Sequence, residues 1–162
     1  MKQNDQEVSG KGDDFIVVDV KACTQILSGI PMELLTSWKK SIECIGEIEV
    51  IHTPNMGLVM MRAEESVARD LFNVGEILIS DATVSVDGVM GYGITMGNSP
   101  DKAYALALID AVFHADEAKW GSVKRNLADW LTEQGQEQKI AAQKRFSLTR
   151  RTLVDFEVMD DD

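Results

Sequence analysis

The hydrophobic pattern changes period three times along the chain, and each change marks a change of element. Residues 1–14 are polar and glycine-containing, carry no periodic face, and are expected to form a mobile tail. From Phe15 to Gly29 two periods overlap. FIVVDV has the composition of a strand, whereas Phe15, Val18, Ala22, Ile26 and Leu27 recur at helical spacing. Ser28–Gly29 is a stop signal, and Pro31 suits the first turn of a second helix, PMELLTSWKKSIE, with Met32, Leu35 and Trp38 on one side. Beyond Gly46 the period falls to two. EIEVIHTP alternates, Pro54–Asn55 signals a turn and MGLVMMRAE follows, which predicts a hairpin of 47–53 with 56–63. A polar link at 65–70 precedes LFNVGEILISDATVSV, whose second half has strand period. VMGYGITM then predicts a second hairpin about Asp87–Gly88, a pair favoured in two-residue turns.

A tight turn at 87–88 sets Val86 opposite Val89 and Thr83 opposite Tyr92. Met90, Tyr92, Ile94 and Met96 then share one face of the returning strand, and Gly91 and Gly93 share the other. A face that bare implies close approach, either by a helix of this chain or by something outside it. The next segment supplies a helix. Ser99 fits its N-cap, Pro100 its first position, and Asp101 places negative charge in the first turn. Ala103, Ala107, Asp110, Ala111 and His114 form one stripe, and Leu106, Ile109 and Phe113 another, so this helix is expected to be buried on two sides. A further helix starts near Trp120 on the seam Trp120, Val123, Leu127, Trp130 and Leu131. Its interruption is expected at 133–135. A polar helical arm, QEQKIAAQKRFSLTRR, then projects or lies in a partner's groove. LVDFEVM alternates again and predicts a terminal strand before an acidic tail at 160–162. The expected class is α+β: a mostly antiparallel sheet of two hairpins plus a C-terminal strand, packed with helices, in one domain over 15–159.

Charge narrows the functional classes. The formal net charge of −11 over 162 residues argues against a general binder of nucleic acid or anionic membranes. No run of 18 apolar residues and no signal-peptide pattern stands in the chain, so the cytoplasm is the expected location. Cys23 and Cys44 are not in a CxxC pair and are expected to be structural thiols in a reducing compartment. The glycine-rich stretch before Ser99 lacks the lysine and hydroxyl of a phosphate-binding P-loop, and Asp101 would repel a phosphate at that helix end. Asp110 and His114 are four apart on one helix face, which suits a metal half-site, an acid–base pair or a hydrogen-bonded pair at an interface. Lys144, Arg145, Arg150 and Arg151 form a basic cluster in an acidic protein, fit for phosphate or for a partner's carboxylates. Gly91, Gly93 and Ala107 complete the candidate interface positions. No nucleophile–base–acid arrangement can be named, so no residue is assigned a catalytic, cofactor-binding or metal-binding role.

FNVGEILISDATVSV (72–86), GYGITMGNSPDKAYALALIDAVF (91–113) and VDFEVM (154–159) together resemble the PhnG family, the small subunit of the bacterial carbon–phosphorus lyase system. The resemblance covers residues 16–159, and Leu153 stands where the family often has a basic residue before the terminal VDF. It implies a hetero-oligomer with PhnH, PhnI and PhnJ, two copies of each, assisted by PhnL. It further implies that PhnG supports PhnI in displacing adenine from MgATP with an alkylphosphonate. The product is α-D-ribose 1-alkylphosphonate 5-triphosphate, whose carbon–phosphorus bond the iron–sulfur radical enzyme PhnJ later breaks. No cofactor is expected on this chain alone. The competing expectations are a free-standing small enzyme using Asp110, His114 and Arg150, and an adaptor from an unrelated pathway.

Overall fold

The computed structural model describes residues 20–150. The elements run α1 (Val20–Gly29), α2 (Met32–Ile45), β1 (Ile48–Glu64), β2 (Leu71–Val86), β3 (Val89–Met96), α3 (Pro100–His114) and α4 (Glu117–Arg150). The three strands form one antiparallel sheet in the order β1-β2-β3, so the α+β class stands. Its predicted C-terminal strand, the N-terminal tail and the acidic tail lie outside the described residues.

The first predicted hairpin is corrected. Pro54–Asn55 does not reverse the chain, and β1 runs through it as one strand of 17 residues. The ladder passes from His52 opposite Thr83 to Asn55 opposite Asp81, so β1 holds one residue more than β2 there. Pro54 sits in that bulge. β1 is an edge strand, where a residue without an N–H is tolerated. The reversal comes at 65–70 instead. The Glu65 carboxylate accepts from the Val67 and Ala68 N–H groups at 3.1 and 2.7 Å, and Glu65 N–H donates to the Asp70 carbonyl at 3.0 Å. Strand structure resumes at once with Leu71, earlier than the sequence suggested.

The second hairpin has the expected register, Val86 opposite Val89 and Thr83 opposite Tyr92. Asp87 and Gly88 take φ of 51° and 83°, the two positive values that a right-twisted two-residue turn requires. Asp87 also ties the turn to its neighbours. It accepts from Lys119 Nζ at 2.7 Å, from Glu47 N–H at 2.9 Å and from Trp120 Nε1 at 2.9 Å, which holds its carboxyl at about 2, below the usual 3.8.

The close approach predicted from Gly91 and Gly93 is made by α3 of the same chain. A Cβ on Gly93 would meet the Ala103 carbonyl oxygen and Ala107 nitrogen; one on Gly91 would meet the Ala107 carbonyl oxygen and Ala111 nitrogen. These are backbone atoms and cannot swing aside. Gly91, Gly93, Ala103, Ala107 and Ala111 are all buried in this contact. Helix α3 packs on the sheet with one face and on α2 with another, which explains why it is apolar on two sides. Leu35, Ile42, Val84, Leu108, Val112 and Trp120 fill the core around it.

Two helix boundaries also differ from the sequence reading. Pro31 is the N-cap of α2 in extended conformation, not a residue of its first turn. Helix α4 begins at Glu117 and is continuous through 133–135. Gly135 is buried there because Ile26 of α1 packs on it: a Cβ would stand 2.8 Å from Ile26 Cδ1. Close packing outweighs the helix propensity that glycine lacks. Over its first half α4 buries Trp120, Leu127 and Leu131; from Lys139 to Arg150 every residue is exposed.

Gly93→Val is expected to destabilise the fold by about 3 kcal/mol, since backbone and not side chain blocks the added atoms. In thermal unfolding that corresponds to a midpoint lowered by about 6–12 °C. A melt indistinguishable from that of the native chain would contradict the close contact.

Candidate functional site

Beside the outer edge of β3 lies a cleft of about 380 Å³. Its walls come from three elements: Cys23, Thr24, Leu27 and Ser28 of α1, Tyr92 and Ile94 of β3, and Leu106, Ile109, Asp110, Phe113 and His114 of α3. Local sequence explains each wall. The stripe Leu106, Ile109 and Phe113 lies on a different face of α3 from the alanines that touch the glycines, so it flanks the strand instead of covering it. Lys102 fixes α1 against α3 by donating from Nζ to the Ser28 carbonyl at 2.8 Å, at the end of α1 where a cation is favoured; burial pushes its pKa down.

Asp110 and His114 meet in this cleft, as their spacing suggested. Asp110 Oδ2 accepts the Tyr92 N–H at 2.9 Å, which satisfies one outward-facing donor of the edge strand. His114 Nδ1 lies 2.8 Å from the Asp110 carbonyl oxygen and 3.7 Å from Asp110 Oδ1. With one oxygen of Asp110 on the backbone and His114 turned back to its own helix, the arrangement is an edge cap. No group of three or more potential metal ligands occurs among the described residues. The other histidine, His52, stands at the far edge of the sheet, 3.2 Å from Asp81.

The remaining candidates are dispersed. Gly91, Gly93 and Ala107 line the interior contact of sheet and α3. Lys144, Arg145 and Arg150 lie exposed on the part of α4 that extends past the body. Arg151 is outside the described residues.

One exposed apolar surface was not recognised in the sequence. β3 pairs only with Ile79–Val86 of β2, so the rest of β2 and the second half of β1 extend beyond it as a two-stranded ribbon. Leu58, Met60, Phe72 and Val74 are each about half or more exposed there, and so is Val59 on the opposite face from Leu58. The signal was present in MGLVMM, which is apolar without alternation: a strand needing cover on both faces.

These features define an α+β protein that displays uncovered apolar strand surface. The model of the family described as "Phosphonate metabolism protein PhnG" matches residues 20–160, and the chain belongs to that family. It is also similar to the alpha-D-ribose 1-methylphosphonate 5-triphosphate synthase subunit PhnG of Rhizobium meliloti (strain 1021), with 34% identity over 84 residues. That match covers 51% of this chain and 53% of the relative, so the chain matches about half the relative's length.

The edge-cap role of Asp110 has a direct check. Asp110→Asn keeps an acceptor for the Tyr92 N–H and is expected to melt close to the native chain, whereas Asp110→Ala is expected to lose about 1–3 kcal/mol. Equal melting of both variants would contradict the cap.

Proposed function

We propose that this chain is a subunit of the carbon–phosphorus lyase core assembly, supporting PhnI in displacing adenine from MgATP by an alkylphosphonate. The product of that step is α-D-ribose 1-alkylphosphonate 5-triphosphate. The reading rests on family membership and on the ribbon of β1 and β2, apolar on both faces. Such a ribbon is too costly to leave in water, and a subunit interface is what covers it. PhnI, PhnH and PhnJ are the partners in this reading, in an assembly with two copies of each, assisted by PhnL in the cytoplasm. The nucleotide and its magnesium belong to the assembly's reaction. The chain's own part is positional: the body presents the ribbon on one side and the basic arm of α4 on another.

The ribbon is a specific way to test this. Leu58→Asp and Phe72→Asp change residues that are already exposed, so each variant is expected to fold with an unchanged circular dichroism spectrum. Co-expressed with PhnI, the native chain is expected to co-purify as one complex that consumes MgATP and methylphosphonate once the other subunits are added. The ribbon variants are expected to lose that complex by about a hundredfold in affinity. A native chain that stays monodisperse and ignores PhnI, or ribbon variants that bind as well as the native chain, would overturn the proposal.

A further inference from the structure

The outer edge of β1 changes character along the strand. Near the body it is guarded: Pro54 has no N–H to offer, a bulge interrupts the ladder there, and the Met56 N–H is taken by Asn55 Oδ1 at 2.8 Å. From Gly57 to Met61 no such device follows. The segment GLVMM has no charge, no proline and no register shift, and no described strand pairs with its outer side. An apolar edge left without these guards is a template for pairing with another strand.

The ladder fixes which groups face outward. The Leu78 carbonyl accepts the Gly97 N–H at 2.8 Å, so the backbone of Leu78 points to the β3 side and away from β1. Leu58 stands opposite Leu78 and Met60 opposite Glu76, with no register shift between them. In an antiparallel ladder the two members of such a pair point away from each other. The N–H and C=O groups of Leu58 and Met60 therefore face outward, whereas those of Gly57, Val59 and Met61 face β2.

This edge matches itself. A two-fold axis beside Val59 sets Leu58 of one copy opposite Met60 of the other, and Met60 opposite Leu58, so the outward groups of both residues are bonded. The neighbouring registers fail. An axis beside Leu58 sets Met60 against Met56, whose N–H is already taken. An axis beside Met60 sets Leu58 against Arg62, past the register shift at Met61 and Arg62. The side chains agree with the first register: Val59 meets Val59, Leu58 lies beside Met60, and Met61 crosses Gly57. A Cβ on Gly57 would meet nothing nearer than Ile79 Cγ1 at 3.9 Å, so there is room for the methionine.

We propose that this chain forms a two-fold dimer through residues 57–61 of β1, paired antiparallel with Val59 on the axis. The gain is structural. Beyond the end of β3 the ribbon is two strands wide, which is marginal in water, and the dimer joins two ribbons into one four-stranded sheet. The contact is the same patch on both copies, as a two-fold interface requires. Both faces of the joined ribbon stay open, so their cover by PhnI is a separate contact, and loss of PhnI binding would leave the dimer standing.

The test uses the full chain alone in sedimentation at micromolar concentration. The native chain is expected to be a dimer. Val59→Asp and Val59→Lys each set like charges directly opposite one another on the axis. Val59 is half exposed, so both variants are expected to fold. Each alone is expected to raise the dimer dissociation constant about a hundredfold. Mixed in equal amounts they place opposite charges on the axis, and dimers are expected to return. Hydrogen exchange of the native chain gives a readout that needs no variant: the Leu58 and Met60 amides are expected to be protected in the dimer and to lose that protection on dilution. A native chain that is monomeric, either variant dimerising alone as well as the native chain, a mixture that stays monomeric, or Leu58 and Met60 amides protected within a monomer would each overturn the proposal.

Discussion

The whole architecture depends on one contact, the seating of α3 on the glycine face of β3. Two glycines remove the side chains that would hold a helix at the usual distance from a sheet. Three alanines at four-residue spacing offer the smallest surface in return. The result is backbone against backbone, with no atom that can give way. Because α3 sits so low, its Leu106, Ile109 and Phe113 overhang the edge of β3 instead of resting on it, and the cleft follows from that overhang. Asp110, on the same helix, is lowered to where its carboxylate reaches the Tyr92 N–H.

Much of this was legible because period-two alternation and a two-residue turn fix register without further information. Asp87–Gly88 alone determined which residues of β3 faced inward, and the bareness of Gly91 and Gly93 then required close approach. What approached was not legible: small residues inside a chain and small residues at an interface look the same. The failures have equally physical causes. Pro54–Asn55 has turn chemistry, but an edge strand absorbs a proline in a bulge, and edge position is a tertiary property. Gly135 suggested a helix break, yet it marks the place where Ile26 crosses α4. The spacing of Asp110 and His114 correctly put them on one face, while the backbone donor that occupies Asp110 belongs to β3 and could not be read from the helix.

The described surface divides into three parts with different demands. The ribbon of β1 and β2 is apolar on both faces and needs to be enclosed. The β3 edge, capped at the Tyr92 N–H by Asp110, borders a largely apolar cleft. The arm of α4 is helical, carries Lys144, Arg145 and Arg150, and is exposed at every residue from Lys139 to Arg150. Each of the three suits contact with another molecule, which is what the proposed subunit role asks of this chain.

The measurement that bears most directly on that account is hydrogen exchange of the native chain, free and in complex with PhnI. The account expects strong slowing across 56–64 and 71–78 in the complex, with the buried amides of α3 unchanged because their packing is internal. A complex in which the ribbon exchanges as fast as in the free chain would contradict it, since the apolar surface would then have some other purpose.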